Sequence, residues 1–430
     1  MGLYNLISFI GIFAFMAIAW AFSTNRRVIN WRVVLWGTSL QLAFAAFIFA
    51  VPAGQKVFLF INGLVLKLVD VAGEGAKFLF GPLALPPGTP GSIGFILAFQ
   101  ALPTIIFFAA LLSLLYHFGF LPKLIEYFSK LFARWMRLSG AESLCVTSNI
   151  FVGVESTLTV RPYLERMTRS ELCTIMTSMM GNTASSVLAF YVLILLPTFP
   201  NIAGHLVSAT LLSWPAGIVM AKLIFPEEDK PETLGTDVKA WYSPTSNAME
   251  AILAGATDGG KMVFGIATML LAVLGLVGLL NLLTMQIGDG INHLLGTQWD
   301  FTLQALLGYL FYPLTLLMGI DPRDAAAVSR LIGERIVVTE ATAYQDLARM
   351  LAQGQIIDKR SAILATYALC GFAHVASLGI FIGGIAALAP GRAKDMAVVG
   401  FRALWAATLS LLMLACAAGV FLTRGSILFG

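Results

Sequence analysis

Two acidic segments interrupt a chain that is otherwise strongly apolar. The stretch VGVESTLTVRPY carries Glu155 and Arg161, and the stretch TEATAY carries Glu340. Ionised acids inside a membrane are tolerated when they are paired or face water. We interpret the two carboxylates as acceptors for a polyol-like or amine-bearing solute. The alternative is that both are structural and pair with Arg161 or Arg335 at the end of a hairpin.

Two polar interruptions lie inside long apolar runs, GNTASS at residues 181–186 and FAHVAS at residues 372–377. Irregular backbone at membrane depth is tolerated only where it lines a cavity or is buried in protein. His374 and Ser377 share the second interruption, so His374 could be a ligand or a proton carrier. A histidine that only packs is the alternative. The side chain of Asn149 and open carbonyl groups could coordinate a cation.

The composition places the chain in a membrane. Hydrophobic residues make up 58% of the 430 positions and charged residues only 12%, whereas a soluble domain carries roughly 25% charged residues. The net charge of +4 therefore does not indicate a nucleic-acid partner, because basic residues are enriched in cytoplasmic loops of membrane proteins. We predict an integral, multi-pass membrane protein.

Several kinds of chemistry are missing from the sequence. The four cysteines are far apart and form no C-x-x-C pair, so neither a disulfide framework nor a zinc site is expected. No Walker A loop, HExxH or G-x-S-x-G motif occurs, which argues against ATP-driven pumping and against an intramembrane hydrolase. We predict that the chain is not an enzyme and holds no cofactor.

Hydrophobic runs predict an all-α protein, since a spanning helix needs about 20 mostly apolar residues. Eight spans are expected, and the run at 301–320 is excluded because Pro313 and Gly319 break it. Residues 57–80 carry four charges spaced three, four and three apart, which predicts a helix along the membrane interface. The eight predicted spans are 3–22, 33–51, 93–116, 173–197, 202–220, 262–287, 362–391 and 403–423.

The chain repeats one pattern. Residues 141–168 and 321–355 are both too polar to cross a membrane, and each is followed by an interrupted span and one further span. We interpret the two polar segments as opposed re-entrant hairpins within an inverted repeat. Hairpins and broken helices that occur twice with opposite topology are typical of secondary transporters.

Long motifs within these segments resemble the concentrative nucleoside transporter family. SNIFVGVESTLTVRPYLERMTRSEL resembles the family's first hairpin, which usually reads SNIFVGQTE(S/A)PLLVRPYL. ATYALCGFAHVASLGIFIGG resembles ATYALCGFAN-x-x-SLGI-x-IGG, and TEATAY matches NEFVAY of the second hairpin. The likeness runs from about Leu138 to the C-terminus. The first spans fit the bacterial short form, while the first hairpin is divergent. The resemblance therefore implies a multi-pass protein of a bacterial inner (plasma) membrane.

The resemblance implies an elevator-type homotrimer that takes up a nucleoside together with sodium or protons. Each protomer would combine a static scaffold with a mobile transport domain. The scaffold is expected to comprise residues 1–119, with spans one to three and the interfacial helix, and residues 261–300, with span six. The transport domain is expected to comprise residues 141–226 and 321–424, each with one hairpin and two spans.

The resemblance also implies roles for individual residues. Glu340 and Ser377 match residues that hold the ribose, and His374 stands where the family has an asparagine. Glu155 matches the first-hairpin acid that faces the nucleobase, whereas the preceding Gln-Thr pair is replaced by Val154 alone. Val187 would belong to the apolar wall against the base.

A sodium site is implied at Asn149, Val152, Asn182 and Thr183, of which the last two differ in type from the family's residues. Without the amide of the Gln-Thr pair, discrimination between bases is left to shape, Glu155 and water. We therefore expect an altered base preference, for example for a modified or C-linked nucleoside.

Two competing functions remain open at this stage. The same machinery could carry another ribosyl or polyol solute. An intramembrane enzyme could instead use Glu155 and Glu340 as an acid–base pair. The duplicated hairpin-plus-span unit favours transport, because alternating access requires two opposed gates.

Overall fold

Helices are the main secondary structure of the described part of the chain, which also has loops and one isolated β-bridge between Ser139 and Leu234. The structure is a computed structural model that describes residues 2–241, 245–423 and 428, without the side chains of Val154 and Glu155. The helices before the repeats are α1 Leu3–Ala21, α2 Trp31–Ala50, α3 Pro52–Phe80, the 3-10 helix Gly81–Ala84 and α4 Leu97–Gln100.

The first repeat begins with a span and continues through a hairpin and two further spans. Its helices are α5 Leu102–His117, α6 Phe120–Met136, α7 Gly140–Val152, the 3-10 helix Gly153–Arg166, α8 Arg169–Met180, α9 Ser185–Leu195 and α10 Ile202–Ile224. The second repeat has the same order. Its helices are α11 Ala248–Leu295, α12 Leu303–Leu317, α13 Pro322–Val337, α14 Glu340–Ala352, α15 Lys359–Leu369, α16 Val375–Leu388, the 3-10 helix Pro390–Arg392 and α17 Ala393–Phe421.

The predicted fold class is confirmed. Seven of the predicted spans are helical segments long and apolar enough to cross a membrane. The remaining predicted span, residues 362–391, is divided between α15 and α16. Neither half is long enough to cross a membrane alone. The excluded run forms α12, whose 15 residues reach only about 22 Å against a hydrocarbon core of about 30 Å. It packs along α13 instead.

The two repeats enter the membrane from opposite sides. Three spanning segments, Leu97–His117, Arg169–Leu195 and Ile202–Ile224, separate the start of the first repeat from α11. An odd number of crossings reverses direction. The two hairpins therefore enter from opposite sides; they are α7 with the 3-10 helix Gly153–Arg166, and α13 with α14.

The breaks of the two interrupted spans lie against each other. The hydroxyl of Thr183, in the first break, is 3.6 Å from the sulfur of Cys370, where the second begins. Gly371 has no room for a side chain, because a Cβ there would lie 2.9 Å from the carbonyl oxygen of Met180. This crossing holds the free helix ends of both repeats at one place.

Helix α3 is a single helix of 29 residues. The side chains of Lys67, Asp70 and Glu74 are exposed on it, and Lys77 pairs with Glu74 at 2.8 Å. The predicted helix with one charged face is therefore confirmed.

Helix α1 is fastened to the end of the second repeat. The amide nitrogen of Asn5 donates to the carbonyls of Gly419, Val420 and Leu422 at 2.8–3.0 Å. The buried guanidinium of Arg360 donates to four groups on three segments. These are the carbonyls of Gly319 (3.2 Å), Leu422 (3.0 Å) and Tyr4 (3.2 Å) and the hydroxyl of Ser8 (2.8 Å).

Candidate functional site

Glu340 lies at the tip of the second hairpin and is the first residue of α14. Thr339 caps this helix with its side chain, and the N-terminus of a helix favours a negative charge. The carboxylate is only 3% exposed. Its Oε1 accepts a hydrogen bond of 2.6 Å from the hydroxyl of Tyr191, on α9 of the first repeat.

His374 caps α16 at the second helix break. Its Nδ1 accepts the backbone N–H of Ser377 at 3.1 Å, and the hydroxyl of Ser377 donates back to the carbonyl of His374 at 2.6 Å. Because Nδ1 is an acceptor, a neutral imidazole must carry its proton on Nε2. The break thus fixes both the tautomer and the direction of the ring.

The free atoms of Glu340 and His374 face each other. Nε2 of His374 and Oε2 of Glu340 are 3.5 Å apart. Apart from this contact, neither atom has a hydrogen-bond partner among the described residues. A buried donor and acceptor left without partners are unfavourable. A hydroxyl group, which both donates and accepts, would satisfy the two atoms together.

Arg335 is fully buried behind this pair in α13. Its guanidinium donates to the carbonyl of Ala368, near the end of α15, at 2.8 Å and to the hydroxyl of Thr408 at 3.4 Å. The described contacts contain no ion pair between Arg335 and Glu340. The geometry therefore favours the solute-binding interpretation of Glu340 over the structural one. The guanidinium of Arg335 instead satisfies a carbonyl near the end of α15.

A narrow cavity adjoins Glu340. It measures about 10 Å³, which is room for at most about one water molecule. Its walls come from α9, the second hairpin and the long helix α11. The lining residues are Val187, Phe190, Tyr191, Ile266, Met269, Leu270, Thr339, Glu340, Ala341 and Phe372. The conformation is therefore closed around the carboxylate, and a solute requires these walls to separate.

A second, larger cavity of about 530 Å³ lies beside the first turn of α9. It runs between the tip of the first hairpin, at Val152, and helices α5 and α11, and it is also lined by Tyr116 and Ser186. Ser186 lines this cavity and the next residue, Val187, lines the closed one, so the first turn of α9 borders both cavities.

Two of the residues predicted for the cation site, Asn149 and Asn182, contact each other at the first helix break. Asn149 donates through Nδ2 to the carbonyl of Ser178 at 2.8 Å. Asn182 donates to the carbonyl of Asn149 at 3.0 Å, and its own amide oxygen accepts from Ser213 at 3.0 Å. Both ends of the Asn182 amide are thus occupied, so in this conformation Asn182 holds Asn149 in place.

The other predicted positions divide into two groups. Val152 ends α7 just before Gly153, whose φ of 57° forms the turn at the tip of the first hairpin. Thr183 is buried at the break. The side chains of Val154 and Glu155, by contrast, lie outside the described residues, so the base-facing part of the predicted site has no described geometry.

The sequence analysis did not identify Tyr191 as a site residue. A signal was present, because Tyr191 follows Val187 by four residues and positions i and i+4 share one face of a helix. Arg335 was considered only as a partner for Glu340, and its contact with Ala368 depends on how two distant helices pack.

Comparison with known proteins identifies the family. Models described as the N-terminus and the C-terminus of the Na⁺ dependent nucleoside transporter match residues 10–83 and 205–419, and a model described as "Nucleoside recognition" matches residues 98–198. The chain belongs to the Na⁺-dependent nucleoside transporter family. It is therefore a cation-coupled nucleoside symporter and an integral multi-pass membrane protein, not an enzyme, as the sequence predicted.

Relatives from bacteria and mammals support the assignment. An "Uncharacterized transporter" of Haemophilus influenzae is 35% identical over 98% of this chain and 99% of its own length. Mouse "Solute carrier family 28 member 3" is 34% identical over 98% of this chain but only 59% of its own length.

Solved structures share the whole fold. CNTnw in an inward-facing substrate-bound state is 33% identical, covers 97% of this chain and 98% of its own, and has a TM-score of 0.86. A CNTnw variant in an outward-facing state is 32% identical over 98% of both chains, also with a TM-score of 0.86. This is the fold of an elevator-type transporter that works by alternating access.

Proposed function

We propose that the chain imports nucleosides with Na⁺ and holds the ribose between Glu340 and His374. The observation that carries the proposal is the pair of atoms, Oε2 and Nε2, that face each other across 3.5 Å without other partners among the described residues. One ribose hydroxyl would donate to the carboxylate and accept from the imidazole. Charge-assisted bonds of this kind are the stronger ones. Ser377 would act by fixing the orientation of His374.

The base would lie against the apolar wall beside Glu340. Val187 is almost fully buried there, and Phe372 contributes an aromatic ring to the same cavity. Val154 and Glu155 of the first hairpin remain the proposed contacts on the polar side of the base. Since one valine replaces the Gln-Thr pair, we propose a base preference that differs from a simple preference for uridine.

Sodium is the coupling ion that we propose, with Asn149, Thr183 and the carbonyl of Val152 as ligands. Asn182 would support this site by holding the backbone of Asn149. A proton carried by His374 is the second candidate. It fits less well, because a proton on Nδ1 would remove the bond that caps α16.

The contacts also suggest how the protomer divides into moving and static parts. Gly255 and Gly259 of α11 lie against α5 so closely that a Cβ would be 2.6–2.7 Å from its backbone. We propose that α5 and α11, with α3, form the scaffold of a homotrimer in a bacterial inner membrane. Because Arg360 and Asn5 bind α1 to the second repeat, we move α1 from the expected scaffold, residues 1–119, to the transport domain.

Uptake into proteoliposomes tests the proposal. Purified protein would be reconstituted, sodium and proton gradients imposed separately, and a panel of labelled nucleosides compared. We expect accumulation driven by the sodium gradient and lost when that gradient collapses. Accumulation under a proton gradient alone would contradict the choice of ion, and a uridine-first ranking would contradict the altered base preference.

Asn149→Ala should abolish the sodium dependence of uptake, because it removes the amide oxygen proposed as a ligand and the bond to Ser178. The measurement is initial uptake as a function of sodium concentration. Asn292→Ala is the matched control, since Asn292 bonds only to a surface turn of the described chain, at Thr297 and Trp299. An unchanged sodium curve in Asn149→Ala would place the ion elsewhere.

His374→Asn should keep most of the uptake, whereas His374→Ala should lose about tenfold or more, the combined effect of a lost helix cap and a lost donor. Asparagine can supply both functions, because it is among the best N-cap residues. Uptake should be measured across pH for both variants. If His374→Asn removes a pH response present in the unaltered protein, His374 carries the coupled proton and the sodium proposal is wrong.

A further inference from the structure

Helix α9 touches both hairpins. Near its N-terminus, the hydroxyl of Ser185 donates to the carbonyl of Ile150, close to the tip of the first hairpin, at 3.1 Å. Further along, the hydroxyl of Tyr191 donates to Glu340 at the tip of the second hairpin, at 2.6 Å. Six residues of helix span about 9 Å, so one short rigid element joins the tips of two gates that belong to different repeats.

The Tyr191 end of α9 controls the geometry of the carboxylate. Tyr191 is 1% exposed, and its ring packs on that of Tyr344 with 4.9 Å between centroids. This packing restricts the hydroxyl of Tyr191 to one position, beside Glu340. Since it binds Oε1 of Glu340, the position of α9 determines how the other oxygen, Oε2, faces His374 and the solute.

The opposite end of α9 emerges from the first helix break. Thr183 lies in that break, two residues before the helix begins, and Asn182 holds the backbone of Asn149. A cation bound between the first hairpin and the break would draw these groups together. The start of α9 would move with them, because Ser185 is bonded to the same hairpin.

We propose that Tyr191 is a positioning residue that couples ion binding at the first hairpin to nucleoside binding at Glu340. This inference rests on the proposed function, namely sodium at the first helix break and ribose at Glu340. Ion binding fixes the position of the start of α9, and the hydrogen bond from Tyr191 then orients the carboxylate of Glu340. Such coupling is reciprocal for binding, so nucleoside should tighten sodium binding as much as sodium tightens nucleoside binding.

Tyr191→Phe tests the coupling, and Tyr344→Phe is its matched control. Tyr344 is equally buried and packs on Tyr191, but its hydroxyl donates to the backbone carbonyl of Thr366 at 2.9 Å rather than to Glu340. Each substitution removes one buried phenolic hydroxyl. Only the first disconnects α9 from the carboxylate.

The measurement is the nucleoside KM of uptake into proteoliposomes at low and at saturating sodium. In the unaltered protein KM should fall as sodium rises. In Tyr191→Phe we expect KM at saturating sodium to rise about tenfold, from loss of a hydrogen bond to a charged group, and the ratio between low and high sodium to approach one. Tyr344→Phe should keep the ratio of the unaltered protein.

Each outcome decides the question. A raised KM with an unchanged sodium ratio in Tyr191→Phe would reduce Tyr191 to a structural contact and overturn the coupling. If the KM of the unaltered protein does not depend on sodium, the proposed ion coupling itself is wrong. This result is distinct from a failure of the Tyr191 coupling alone. If Tyr191→Phe does not fold, Ser185→Ala cuts the other end of α9 and should lower the ratio in the same direction. An unchanged ratio there would also overturn the inference.

Discussion

Glu340→Gln should lower nucleoside uptake by about 100-fold or more. The substitution keeps the size of the side chain but removes its charge, which weakens the bond from Tyr191 and the bond that we expect from the ribose hydroxyl. Hydrogen bonds to charged groups contribute about 1.5–3 kcal/mol each, and each 1.36 kcal/mol is about a factor of ten in rate. Weakening both bonds by about 1.4 kcal/mol each gives the 100-fold loss, which exceeds the effect that we expect from any other single change in the site.

Initial rates of labelled nucleoside uptake in proteoliposomes measure this effect. Glu232→Gln is the matched control, because Glu232 forms an exposed ion pair of 2.7 Å with Arg166, and exposed pairs contribute little. The control should transport normally. Near-normal uptake by Glu340→Gln would remove Glu340 from the ribose site and with it the central proposal.

Arg360→Ala should produce the largest loss of stability. The guanidinium is 4% exposed and donates to the carbonyls of Tyr4, Gly319 and Leu422 and to the hydroxyl of Ser8. Each buried acceptor left without its donor costs about 1–3 kcal/mol. We therefore expect a loss of at least about 3 kcal/mol and, for a chain of 430 residues, a melting temperature lower by about 3 °C or more.

Thermal unfolding of the purified protein in detergent is the measurement, with Lys359→Ala as the neighbouring control. Lys359 is exposed, so its replacement should change the melting temperature little. The comparison also bears on the division into domains, because Arg360 joins α1 to α15 and α17. Equal melting temperatures for the two variants would show that the contacts of Arg360 contribute little to stability. We would then assign α1 to the scaffold again.

Much of the fold was predictable because its signals are local. Long uncharged runs indicate spans, since each must satisfy its own backbone inside the membrane. Polar stretches too short or too charged to cross indicated the two hairpins. The polar interruption around His374 indicated a broken helix, because polar residues rarely lie inside a continuous span. The structure has the break there, between α15 and α16. Its repetition in both halves predicted the transporter architecture.

The sequence by itself determined the spans, the two hairpins, the broken helices and the candidate residues Glu340, His374 and Ser377. Only the tertiary structure decided that Tyr191 reaches Glu340, that Asn182 holds Asn149, and that Arg360 joins α1 to the second repeat. Hydropathy and polar interruptions are properties of consecutive residues and can be seen in the chain. The pairings depend on which helices pack together, and residues as far apart as Tyr4 and Arg360 meet only after folding.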